Sequence, residues 1–140
     1  MSKYGAIACE AVDRCGRKNS ASIAEAWEHA CRKAFPHQLA SQKKSCPRGA
    51  FIGLCAAGLI NGIAGSPATK VGRNGGHAME AVRLLAKNPS LSENRPADLW
   101  REVLGEKKKA HNAQMDVVLA LWKRDLVNRE VASRIRPHRV

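Results

Sequence analysis

Gly5, Ala8, Glu10, Ala11 and Val12 are matched in order and spacing by Gly75, Ala78, Glu80, Ala81 and Val82, an offset of 70. Two further segments follow in the same order. Trp27-Glu28 returns as Trp100-Arg101 at an offset of 73, and the apolar run 50–60 returns as 117–127 at an offset of 67, with Leu59-Ile60 matched by Leu126-Val127. Ordered segments with drifting offsets are the pattern of two copies of one unit that kept their helices and changed their loops. The second copy then serves as an internal control, separating residues the architecture needs from residues peculiar to one half.

Within each copy the apolar spacing is helical. Ile7, Ala8, Ala11, Val12 and Cys15 predict an amphipathic helix over 3–15, with Gly16 just past its end. Ser22 and Glu25 form a capping box that opens a second helix, 23–35, which Pro36 terminates. A third helix, capped by Ser45 or Cys46, runs to residue 57 and is apolar nearly all round, the mark of burial on most sides. Gly49, Gly53 and Ala57 recur along it every four residues, leaving a line where another backbone can come close. Residues 61–76, rich in Gly, Pro, Ser and Asn, read as the linker. The second copy supplies a helix over 76–87 capped by Asn74, another over 96–104 between Pro96 and Gly105, and an apolar rod capped by Asn112. The predicted fold is all-α: a single domain, 1–127, of about six helices. It comprises two three-helix repeats (3–62 and 74–127) packed about a pseudo-twofold axis through the third and sixth helices, followed by a basic tail, 128–140, expected to be partly helical to Ile135.

Composition agrees. Aromatic residues are only 4% of the chain against 44% hydrophobic residues overall, so small and aliphatic side chains must fill the core, which favours close-packed helices over a sheet sandwich. No stretch approaches the roughly 20 continuous apolar residues of a spanning helix, and the N-terminus has no apolar signal region, so no membrane partner is expected. Five cysteines with no Cys-x-x-Cys pair suggest neither a disulfide framework nor a zinc knuckle, and reduced thiols point to the cytoplasm.

Charge is the second strong constraint. Lys and Arg number 24 against 12 Asp and Glu, a net +12, which favours polyanionic partners. Between Glu28 and Glu80 there is no acidic residue, while Arg32, Lys33, Lys43, Lys44, Arg48, Lys70 and Arg73 fall inside the gap. Residues 41–48 form a cation-rich loop entering a helix whose first turn presents Arg48, a plausible phosphate contact. Lys70, Arg73, Asn74, Gly75 and Gly76 resemble an anion nest at a helix start, although they match neither a Walker motif nor Gly-x-Gly-x-x-Gly. The expected contact set is Lys43, Lys44, Arg48, Lys70 and Arg73. The third helix is too apolar to read a major groove, and Tyr4, Phe35 and Phe51 are too scattered for a stacking platform.

The cysteines mostly read as filler, since Cys9, Cys15, Cys31 and Cys55 align with Met79, Leu85, Leu104 and Trp122 of the second copy. Cys46 aligns with Ala113 and stands beside Lys43, Lys44 and Arg48 at a helix start, where dipole and cations favour a thiolate. It is the candidate reactive thiol, and a nucleophilic role would need a base such as His37. His29, His37, His77, His111 and His138 show no metal spacing, and no catalytic residue, metal or cofactor is expected. Glu10 and Glu80, equivalent in the two copies, could suggest paired carboxylates across the pseudo-twofold, but solvated carboxylates or ion pairs with neighbouring Arg14 and Arg83 are the favoured reading.

The stretch Ser41-Gln-Lys-Lys-Ser-Cys-Pro-Arg-Gly-Ala-Phe-Ile-Gly-Leu-Cys55, together with Tyr4-Gly5 and the segment from His111 to Trp122, resembles a family of short bacterial proteins known as a domain of unknown function. The likeness covers about residues 3–127, and Cys-Pro-Arg-Gly-Ala-Phe is its most distinctive block. It implies one compact bacterial domain and brings no activity, cofactor or catalytic residue. The functional expectation therefore rests on charge: a non-enzymatic binding or regulatory protein contacting nucleic acid or a nucleoprotein assembly through a basic surface. The alternatives are a module for an acidic protein partner, or an enzyme using Cys46 with His37 or a phosphate held near Arg73.

Overall fold

The computed structural model describes residues 2–18, 22–66 and 69–137. Among them the chain is helical: α1 (Lys3–Lys18), α2 (Ile23–Ala34), α3 (Leu39–Gln42), α4 (Ser45–Ala56), α5 (Arg73–Lys87), a 3-10 helix (Pro89–Glu93), α6 (Pro96–Leu104), α7 (Gln114–Lys123) and α8 (Arg129–Ser133). The six helices read from periodicity are α1, α2, α4, α5, α6 and α7. Of the three short ones, α8 falls in the tail expected to be partly helical, whereas α3 and the 3-10 helix form where the sequence reads as loop, held by bonds that apolar spacing cannot show. Gln42 Nε2 donates to the Phe35 carbonyl at 2.7 Å and the Tyr4 hydroxyl to the Ser41 carbonyl at 2.9 Å, which fixes α3 against α2 and α1. Pro89 opens the 3-10 turn, and the Asn128 side chain caps α8 by accepting from the Val131 amide at 3.1 Å. α8 then packs on α5 and buries Ala132.

Several termini fall where local chemistry puts them. Ser22 caps α2 by accepting from the Glu25 amide, and Phe35 closes it just before Pro36. Pro96 opens α6, and Gly105, at φ 62°, ends it. α1 instead runs through Gly16 to Lys18, since one glycine costs a helix only about 1 kcal/mol and no proline follows. Asn74 is not a cap: α5 starts at Arg73, three residues before the expected 76, with Gly72 at its N-cap. α7 starts at Gln114 after Ala113, at φ 67°, so Asn112 does not cap it either.

The core is centred on α4 and α7, which pack against each other; α5 lies on α4, and α1 lies on both α2 and α7. Phe51, Leu54 and Cys55 of α4 and Met115, Val118 and Leu121 of α7 are fully buried. Trp27 of α2 is fully buried and stacks on Phe51, with ring centroids 5.1 Å apart. Beyond the ends of α4 and α7, Gly58 at φ 75° and Asp125 at φ 58° turn the chain back. Two backbone bonds then join the segments, Asn61 N–H to the Leu126 carbonyl at 2.8 Å and Asn128 N–H to the Leu59 carbonyl at 2.7 Å, flanking an antiparallel bridge between Ile60 and Val127.

The line of small residues on α4 is where α5 crosses. A Cβ on Gly53 would collide with the Gly75 backbone, and one on Gly75 would stand 2.9 Å from Gly53 Cα and 2.7 Å from Val71 Cγ1. A Cβ on Gly49 would meet the Asn74 side chain at 3.0 Å. Gly53→Ala should therefore cost about 1–3 kcal/mol, because backbone cannot yield as a flexible side chain does. Gly76, in the same turn of α5, has open space around it, and Gly76→Ala should add roughly 0.5–1 kcal/mol through helix propensity alone. Urea unfolding followed by circular dichroism reads both, and a Gly53→Ala variant as stable as the parent would contradict the crossing.

Candidate functional site

α4 begins without a side-chain cap, so its first-turn amides carry the positive end of the helix dipole. Around this start stand the cations expected from the sequence. Lys43 ends α3 and is exposed. Lys44, the N-cap residue, places its Nζ 5.5 Å from the centroid of the Tyr4 ring. Arg48 is half-buried in the first turn, 3.8 Å from Glu28 of α2. Lys70 and Arg73 belong to another part of the chain, Lys70 in the approach to α5 and Arg73 as its first residue, and both are exposed. The glycine crossing brings the two parts together, for Arg48 and Arg73 are the chain neighbours of Gly49 and Asn74, which touch. Among the described residues, none of Lys43, Lys44, Lys70 and Arg73 has a carboxylate partner, and the only one for Arg48 is Glu28.

Sequence reasoning missed Arg32 as a site residue. Arg32 and Glu28 lie one turn apart on α2 and, with Gln42, Lys43 and Arg48, line a cleft of about 260 Å³ between α2, α3 and α4. Their four-residue spacing was the available signal that they share a face. Also missed was a polar tie at the start of α7. Gln114, the one buried polar side chain among the described residues, accepts from the Asn112 amide at 2.7 Å and donates to Asn74 Oδ1 at 3.0 Å. Asn74 thus fastens α5 to α7. A polar residue at the head of an otherwise apolar rod was the clue.

α7 is capped by an imidazole. His111 Nε2 accepts from the Met115 amide at 3.1 Å, which requires that nitrogen to be unprotonated. Burial lowers the His111 pKa from its ordinary 6.5, Asp116 at 3.9 Å pulls the other way, and Lys44 lowers it further. The ring also packs on Trp100, whose indole N–H donates to the Lys109 carbonyl at 2.8 Å.

Cys9, Cys31 and Cys55 are buried, and Cys15 and Cys46 are half-buried. Burial pushes the Cys9, Cys15 and Cys55 thiols up, and burial with nearby Glu28 pushes Cys31 up to about 11. Cys46 is the second residue of α4. His37 is exposed on the turn after α2, and no hydrogen bond joins it to Cys46 among the described residues. Among those residues no three His, Cys, Asp or Glu side chains gather as metal ligands, and no helix is long and apolar enough to cross a membrane. The equivalent carboxylates differ: Glu80 takes a two-pronged bond from Arg83, one of the favoured readings, whereas Glu10 pairs with Lys33 of α2 at 2.7 Å and not with Arg14.

These features define a small all-helical domain in which α4 and α5 draw an acid-free length of chain together. The chain belongs to the family of unknown function DUF6979, whose model matches residues 1–128. No curated protein and no solved structure matches it.

Because the native His111 binds a proton less readily than the unfolded one, its contribution to stability is complete above about pH 6.5, declines as pH falls toward the native pKa and then levels off. An NMR titration should place its midpoint below 6.5; a midpoint at or above that value would contradict the capping role. In brief alkylation of the folded protein, Cys15 and Cys46 should label first. Cys31, whose thiolate population is depressed about 100-fold by the two-unit shift alone, and Cys55 should label only on unfolding. Mass spectrometry of the labelled peptides decides.

Proposed function

We propose that this protein binds nucleic acid, alone or within a nucleoprotein assembly, through a basic surface built from α3, the start of α4 and the approach to α5. The reading is that of a non-enzymatic factor. The observation that carries it is the crossing at Gly53 and Gly75, which brings the two basic parts of the acid-free stretch near each other. Lys43, Lys70 and Arg73 are exposed and, like Lys44, have no carboxylate partner among the described residues, as cations awaiting an external anion do. Phosphates rather than base edges are the target, since α4 turns most of its side chains into the core. Five free thiols suit a reducing, cytoplasmic setting.

The same proposal takes the chain as two like three-helix units about a pseudo-twofold axis. Its support is a set of matched details at an offset of 67. Asn61 bonded to Leu126 mirrors Asn128 bonded to Leu59, and Leu59 N–H donating to Leu54 mirrors Leu126 N–H donating to Leu121. Gly58 and Asp125, both at positive φ, are counterparts, and α5 on α4 corresponds to α1 on α7.

Binding to a duplex of arbitrary sequence should weaken by about 100-fold between roughly 50 and 200 mM salt, as expected for about four neutralised phosphates. Fluorescence anisotropy measures this. A variant carrying Lys43→Ala, Lys44→Ala and Arg73→Ala should flatten the salt dependence while keeping its helical spectrum. Binding that is absent, or indifferent to salt, would refute the proposal.

A further inference from the structure

We propose that the cleft between α2, α3 and the first turn of α4 is a phosphate-binding site in which Glu28 holds the ligand's place. This deepens the nucleic-acid reading and rests on the same basic surface, but it names a particular pocket. Three cations on three helical segments reach it, Arg32 from α2, Lys43 from the end of α3 and Arg48 from α4, with Gln42 and a single carboxylate, Glu28. A cleft of about 260 Å³ admits a phosphate group and the first atoms of whatever carries it.

The carboxylate does not consume this charge. Glu28 Oε1 stands 3.8 Å from the Arg48 guanidinium, beyond hydrogen-bonding reach, and both side chains are half-exposed, so the pair is weak and readily exchanged. A phosphate offers Arg48 the bidentate partner that its planar fork suits and Glu28 does not provide. The uncapped start of α4 adds positive potential from the backbone. The walls are already fixed: Gln42 is bonded to Phe35, Ser41 to the Tyr4 hydroxyl, and the Lys43 amide to the Leu39 carbonyl at 3.1 Å. Little ordering is left for the ligand to impose.

Inorganic pyrophosphate, titrated at low salt into the ¹⁵N-labelled protein, is the test. The amides of Arg32, Lys43 and Arg48 should shift while those of Lys70 and Arg73 stay still. Arg48→Ala and Lys43→Ala should each weaken binding, whereas Glu28→Gln should tighten it up to about 5-fold by removing the competitor. Glu25→Gln, the same charge change one turn away on α2, should leave it unchanged. Pyrophosphate that leaves the cleft amides unmoved, or a Glu28→Gln effect no larger than that of Glu25→Gln, overturns the site. If a duplex still binds with steep salt dependence in that case, the broader reading survives the loss of the pocket. If pyrophosphate fills the cleft and no duplex binds, the pocket stands as a site for a small phosphorylated ligand and the broader reading falls.

Discussion

The arrangement depends on two glycines meeting. With no Cβ on Gly53 or Gly75, α4 and α5 touch backbone to backbone, closer than any pair of side chains would allow. From that contact the first turn of α5 is carried onto α4, Asn74 onto Gly49 and within reach of Gln114, and Arg73 toward the end of α4 where Arg48 stands. Core, polar tie and basic surface are therefore consequences of one approach distance. Val71 seals it from the side, lying against both glycines.

Charge is sorted by the same geometry. Outside the acid-free stretch several cations find a carboxylate on their own helix or turn: Arg83 with Glu80, Arg95 and Arg101 with Asp98, Arg129 with Asp125, and Arg134 with Glu130. The Asp98 carboxyl is held below its usual range by Arg95 and Arg101. Inside the stretch no local carboxylate exists, so Lys33 and Arg48 reach across to Glu10 and Glu28. Such exposed pairs add little stability, and an outside anion can displace the carboxylate from one as loose as Arg48 with Glu28.

What was legible in the sequence was whatever a residue determines with its near neighbours. Apolar spacing located the six main helices, Pro36 and Gly105 stopped two of them, and the four-residue recurrence of Gly49 and Gly53 foretold a close backbone approach. Illegible were features made by distant segments meeting. Nothing local marks residues 39–42 as a helix, because their stabilising partners are Phe35 and Tyr4. Asn74 and Asn112 have good capping chemistry, yet Asn74 is bonded instead to Gln114, and at α7 an imidazole accepts the bond that Asn112 was expected to take. Glu80 obeyed the rule for neighbours three apart, whereas Glu10 passed over Arg14 for Lys33. Arg32 was visible as a charge but not as part of a cleft, since the opposite wall comes from α3 and α4.

The paired strands of backbone at Leu59–Asn61 and Leu126–Asn128 bear on how the molecule is made. Each bond in that seam spans nearly half of the chain, and α1 rests on α7 across a longer separation still. A ribosome delivers α1, α2 and α4 long before α7, so the apolar sides that α1 and α4 turn toward α7 stay uncovered while the rest is being synthesised. Folding is consequently a late, all-at-once event, and the half-finished polypeptide is the form most in need of a chaperone.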